Sequence, residues 1–165
     1  MIKELFVLVK MLFNDKPSNI KETVLMGMNH FPFKGYSYMM WCGKMIYRND
    51  KYERRKQEWD TDCFKVTRNH ENIHLLQAKM CGSWIKYYYK YLIEWLRGNP
   101  ILHPSSSAYM TIPWECEAYA NEENMEYCKN YNGSNVKKYT FKGRKKLYRQ
   151  VGGTSSDWKA YVKSL

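Results

Sequence analysis

The sequence predicts an α+β domain, mainly helical, with a small β-sheet or hairpin ahead of the helix that carries its chemistry. Three observations lead there. Apolar residues recur at helical spacing in several separate stretches, most clearly within 2–13, 66–77, 84–97 and 114–128. One short segment, residues 36–47, instead has Met39, Met40, Trp41, Met45, Ile46 and Tyr47 around Gly43, which suits a strand with a break or a short hairpin. A chain of 165 residues, 16% of them aromatic, is one compact domain able to bury a real core. It is organised as an N-terminal helix and linker (1–29), a core (30–130) and a basic, aromatic C-terminal extension (131–165).

In chain order, Ile2, Leu5, Phe6, Val9, Leu12 and Phe13 form an amphipathic helix that ends near residues 14–17. Lys3 and Lys10 interrupt its apolar run and no small-residue cleavage site follows, so it is neither a transmembrane span nor a signal peptide. It docks on the core or binds a partner or membrane surface. Residues 30–35 form a Pro- and Gly-punctuated loop, and residues 48–57 a charged connection. Thr61 or Asp62 caps the next helix, which Met80-Cys81-Gly82 ends or kinks. Residues 84–97 resume a helix with Trp84, Tyr88, Leu92 and Trp95 on one face, stopped by Gly98-Asn99-Pro100. A loop over 101–111 leads to Pro113, a first helical position, and a third long helix runs from Trp114 to Cys128.

The chemistry sits in His70-Glu71-x-x-His74. Residues four apart stack on one helix face, so both imidazoles can converge on one metal ion. Glu71 directly follows the first ligand, which lets it reach an activated water rather than the metal. Two neutral nitrogens, a Lewis acid and a nearby carboxylate are what a zinc hydrolase needs. The alternative is a chance match on a solvated helix with His74 in the core. Val66, His70, Ile73, His74 and Gln77 repeat at helical spacing, which turns both histidines inward. A third protein ligand must come from elsewhere. Glu115 is preferred, since its helix can pack antiparallel to the first; Glu117, His30 and His103 remain open. Acidic residues at 115 and 117 also suit a helix N-terminus whatever else they do. Gln77 and Met80 stand where a metzincin motif needs glycine and a third histidine, which excludes that pattern. Tyr109, six residues before Glu115, is the candidate for oxyanion stabilisation.

Glu115-Cys116-Glu117-Ala118-Tyr119 resembles the E-x-x-A-[DY] segment that follows H-E-x-x-H in gluzincin-type zinc metallopeptidases. The chain as a whole looks similar to small HExxH proteins of bacteria and their phages. The likeness rests on residues 30–36, 69–77, 91–96 and 112–121, and covers 30–130. The tail shares only the aromatic pattern of Trp158 and Tyr161. The resemblance implies a minimal zincin-like metallopeptidase core binding Zn2+ through His70, His74 and Glu115, with Glu71 as general base. It also implies a peptide or protein substrate laid along a sheet edge, for which residues 44–48 are the expected strand. One position departs from the family: Tyr119 stands where many gluzincins have an aspartate that orients a ligating histidine.

Charge and cysteines bound the setting. A net charge of +11 points to an acidic protein partner, an anionic surface or nucleic acid, unless the lysines are simply solvated. Five cysteines, odd in number and with no C-x-x-C pair, point to free thiols in a reducing compartment such as the cytoplasm. Asn132-Gly133-Ser134 suits a turn. Lys137, Lys138, Lys142, Arg144, Lys145, Lys146 and Arg149 interleave with Tyr139, Phe141, Leu147 and Tyr148. That is the make-up of a phosphate- or single-strand-binding surface, and equally of a solvated strand pair with an inward aromatic edge. The competing function classes are therefore a non-catalytic zincin-fold component docking in a larger assembly, a virion included, and a nucleic-acid binder.

Overall fold

The computed structural model describes residues 1–32, 38–51, 57, 61–98, 105–133 and 135–165, the side chains of 62, 63, 105 and 106 aside. Among these residues the chain is mainly helical, with seven α-helices and one three-stranded sheet that precedes the His-Glu-x-x-His helix. It divides into two compact units, Met1–Lys86 and Tyr87–Leu165. No described helix is long and apolar enough to cross a membrane.

In the first unit, helix α1 (Ile2–Asn14) buries only Leu8 and Met11 fully, whereas Ile2, Phe6 and Phe13 are 75%, 75% and 67% exposed. Polar clamps hold it. The Trp41 indole N–H donates to the Leu8 carbonyl at 2.9 Å. The Glu4 carboxylate accepts the backbone N–H groups of Asn29 and His30 at 2.6 and 3.0 Å. Burial alone would raise the Glu4 carboxyl, but these bonds and the His30 imidazole outweigh it and hold the group below its usual value.

Strands β1 (Val24–Met28), β2 (Met39–Trp41) and β3 (Lys44–Arg48) lie in the order β1–β3–β2. β3 runs parallel to β1 and antiparallel to β2. The expectation that residues 44–48 form a sheet edge is therefore corrected: β3 is the central strand, and β1 and β2 are the edges. Its consecutive buried residues Met45, Ile46 and Tyr47 show why, because a strand covered on both faces needs apolar side chains without alternation. The expected hairpin is present between β2 and β3. Its two turn residues, Cys42 and Gly43, have φ of 48° and 75°, the left-handed pair that matches the twist of a two-residue hairpin.

Helix α2 (Asp62–Cys81) starts at the expected cap, the Thr61 hydroxyl accepting the Phe64 N–H at 3.3 Å. It stops at Gly82, which is left-handed at φ 77°. It buries Phe64, Ile73, Leu75 and Ala78, and with them the polar side chains of Asn69, His70, His74 and Gln77. Asn72 takes the Thr23 N–H on its side-chain oxygen at 2.8 Å, tying the entry to β1 onto α2.

The boundary between units falls in the first turn of helix α3 (Trp84–Arg97). Its inward face differs from the expected one. Trp84 and Tyr87 are buried, while Leu92 is 48% exposed. Tyr87 stacks on Trp114 at 4.7 Å and the Tyr91 hydroxyl has a buried carboxylate to satisfy, so the tyrosines turn in and the leucine turns out.

Where a loop was expected over 101–111, residues Ser105–Met110 form a short helix, α4; residues 101–104 lie outside the described residues. Helix α5 (Pro113–Asn121) begins at the expected proline but stops well before Cys128. The Asn121 side-chain amide donates to the Glu117 carbonyl at 2.7 Å near its end, and a 3-10 turn follows at Tyr127–Asn130.

Beyond it the expected strand pair is replaced by a 3-10 turn (Asn135–Tyr139) and helices α6 (Arg144–Gln150) and α7 (Ser155–Lys163). A period-two reading of basic and aromatic residues fails here because the aromatics gather around one anchor. That anchor is Trp158, fully buried with Met110, Cys116, Tyr139, Tyr148 and Val162, its indole N–H donating to the Met110 carbonyl at 2.7 Å. Residues 131–165 thus supply much of the core beneath α5. The four cysteines whose side chains are described form no disulfide.

Two outcomes follow from the first unit. A Cβ at Gly43 would lie 2.8 Å from Ile20 Cδ1 on a backbone at φ 75°. Gly43→Ala should therefore cost about 1–2 kcal/mol in urea unfolding; an unchanged midpoint would remove the turn from its place in the fold. The Glu4 carboxyl is depressed in the folded chain, so its contribution is complete above the unfolded value near 4.5 and is lost as pH falls through the lower folded value. Hydrogen-exchange protection of α1 should fall over that window in the wild type and stay flat in Glu4→Gln.

Candidate metal centre

Spacing on α2 does what four residues on a helix should do. His70 and His74 are 7% and 5% exposed, and their rings meet edge to face with centroids 4.8 Å apart. Their Nε2 atoms are 3.1 Å apart, so in this arrangement one donates its proton to the lone pair of the other. The His74 Nδ1 lies 2.8 Å from Gln77 Oε1. An amide oxygen only accepts, which places the His74 proton on Nδ1 and makes its Nε2 the acceptor in the bond with His70. Gln77, which holds the His74 ring, was marked by the sequence only as part of the inward face, at i+3 from His74.

Glu115 enters from the first turn of α5. It is 2% exposed, and the Tyr91 hydroxyl donates to its Oε1 at 2.7 Å. Burial first, and then the Glu115 charge, push the Tyr91 phenol well above its usual value, so the hydroxyl keeps its proton as a donor. Sequence reasoning missed Tyr91 as a partner; the signal available was a tyrosine beside the expected inward face of α3.

His70, His74 and Glu115 each present one ligand atom within 4.8 Å of the others, and all three residues are buried. Two imidazole nitrogens and one carboxylate oxygen are a donor set that suits zinc. Bonds of about 2.0–2.2 Å in a tetrahedron place ligand atoms roughly 3.4 Å apart. The histidine pair, with its Nε2 atoms 3.1 Å apart, is already near that separation. The group fits a small divalent ion.

The other expected residues fall as follows. Glu71 is half-buried on α2 next to His70 and is not a member of the ligand group. Glu117 is fully buried and accepts from the Tyr127 hydroxyl at 2.8 Å, which leaves it engaged in the core of the second unit. His30 is held by Glu4 at 2.9 Å, its side chain 52% exposed. His103 lies outside the described residues. Tyr109 is 38% exposed on α4, close enough to Tyr91 to add to the rise of that phenol. Tyr119 is half-buried against the Trp158 cluster with the Lys159 ammonium 4.0 Å from its ring centre, and the orienting bond at His74 comes from Gln77 instead. Burial pushes the Cys116 thiol up to about 12, so it stays protonated and is a poor ligand beside Glu115.

Partners of this kind usually carry a factor of about 10–100 in metal affinity. Gln77→Leu and Tyr91→Phe should each weaken zinc binding by about that much in a chelator competition, with far-UV circular dichroism unchanged. Wild-type affinity in both variants would take away their positioning role. Compared with protein-family models, curated proteins and solved structures, the chain matches none.

Proposed function

We propose that this chain is a metal-dependent hydrolase of peptide or related amide bonds, zincin-like in architecture, with a zinc-type ion held by His70, His74 and Glu115. The observation that carries the reading is the buried His-His-Glu group with a second, separate carboxylate, Glu71, next to its first histidine. A divalent ion bound there supplies a Lewis acid that acidifies water and polarises a carbonyl. Glu71 takes the proton from the attacking water and returns it to the leaving nitrogen. Gln77 and Tyr91 each orient one ligand through a hydrogen bond. The exposed Tyr109 offers a hydroxyl to the developing oxyanion.

A second reading, a non-catalytic docking component of a larger assembly, is favoured by one observation. Helix α1 leaves Ile2, Phe6 and Phe13 uncovered, and apolar faces of that kind often mark binding surfaces.

Turnover separates the two. Glu71→Gln should keep the ion and lose roughly 10²–10⁴-fold in cleavage of a peptide library. His70→Ala, His74→Ala and Glu115→Ala should each lose the ion itself in metal analysis. Loss of zinc in Glu117→Ala but not in Glu115→Ala would move the third ligand by two residues. Zinc-loaded wild type that cleaves nothing favours the docking reading, and a zinc-loaded Glu71→Gln that cleaves at the wild-type rate sinks the mechanism.

A further inference from the structure

The second unit carries a basic cleft that the proposed hydrolysis does not use. Arg97 and Gly98 at the end of α3, Phe141, and Gly143, Arg144, Lys145 and Lys146 at the start of α6 line a cleft of about 580 Å³. Four of these seven residues are cations. Glu94 offsets one of those charges, pairing with Arg97 at 2.5 Å and with Arg144 more closely. Arg144 is half-buried in that pair and also donates to the Glu94 carbonyl, so it is a fixed wall of the cleft. Lys146 is exposed and Lys145 half-buried beside it.

Charge continues out of the cleft. Residues 137–149 hold seven basic side chains and no acidic one. Lys145 titrates below its usual range, through desolvation first and then repulsion from Arg149, and an anion would relieve that repulsion. The Phe141 ring is locked edge-on against Trp158 at 5.6 Å, an apolar wall among the cations. We propose that this cleft binds single-stranded nucleic acid, with backbone phosphates on Arg97, Lys145 and Lys146 and a base against Phe141.

Size and chemistry favour that ligand over the other polyanions. A cleft of this volume takes a nucleotide-sized group, whereas a duplex could only lie across its mouth. An aromatic wall set among cations is how sequence-tolerant strand binders work, stacking on one side and phosphate pairing on the other. Free phosphate would use the cations and leave Phe141 idle.

The test is fluorescence anisotropy of the full chain with a labelled, mixed-sequence single-stranded oligodeoxynucleotide across a salt series. Three phosphate contacts predict a slope of about −2 in log K against log salt. That is about a twentyfold loss from ~50 to ~200 mM. The double variant Lys145→Gln/Lys146→Gln should flatten the slope by about 1.4 and weaken binding on the order of tenfold. Lys145→Arg/Lys146→Arg should keep both. Lys3→Gln/Lys10→Gln removes the same charge from the first unit and should change neither. Equal losses in the two glutamine variants would reduce the effect to bulk charge and overturn the site. So would no change in Lys145→Gln/Lys146→Gln, or no binding by wild type. A duplex of the same sequence binding as tightly would overturn the single-strand assignment.

Discussion

Two imidazoles buried four residues apart on one helix must be given partners, because a polar group taken out of water and left unsatisfied costs roughly 1–3 kcal/mol. His70 and His74 meet that demand through each other and through Gln77, at 3.1 and 2.8 Å. Much of the first unit is arranged around keeping this polar stripe inside. α2 is fixed at both ends, by Thr61 and by the left-handed Gly82, so its register cannot drift and carry the histidines outward. Asn72 secures the entry to the sheet, and the central strand is apolar throughout its buried middle. A sequence that wanted only a stable helix would have placed leucines at these positions. Burying Asn69, His70, His74 and Gln77 there instead commits the helix to satisfying four polar side chains inside the fold.

The part of the fold legible in the sequence is the part whose signals are local. Thr61, Gly82, Pro113 and the Cys42-Gly43 turn each constrain their own backbone, and the elements they bound lie where their residues say. Strand β1 was not legible. Val24–Met28 shows no clear alternation, has Gly27 in its middle, and pairs in parallel with β3 some twenty residues on. Nothing nearby in sequence reports such a pairing. Even the glycine has a tertiary cause, since a Cβ at Gly27 would lie 2.2 Å from the Asn49 side-chain oxygen. The face of α3 was misread for a similar reason: helical spacing fits Leu92 as well as Tyr91, and a hydroxyl partner on another helix decided between them.

The candidate site divides along the same line. The histidine pair and the carboxylate beside it are a local pattern and can be read directly. Glu115 and Glu117 are two residues apart at the head of one helix, and both are buried. No rule of spacing distinguishes them. Their partners do, Tyr91 for the first and Tyr127 for the second, and those partners lie 24 and 10 residues away in opposite directions along the chain.

Trp158 gives this arrangement a direction in time. A chain is made from its N-terminus, and compact units settle as their residues emerge. The residues that pair the histidines, from Thr61 to Gly82, are all present once the first unit has been made. Helix α5 must wait longer, because the floor beneath Cys116 is laid by Tyr139, Tyr148, Trp158 and Val162. Until those residues have been made, the nascent protein therefore carries the paired histidines and a Glu115 helix whose floor is not yet laid. A closed set of three donors holds a divalent ion far more tightly than two imidazoles, so an ion at the candidate site would be gripped fully only after the Trp158 cluster had formed.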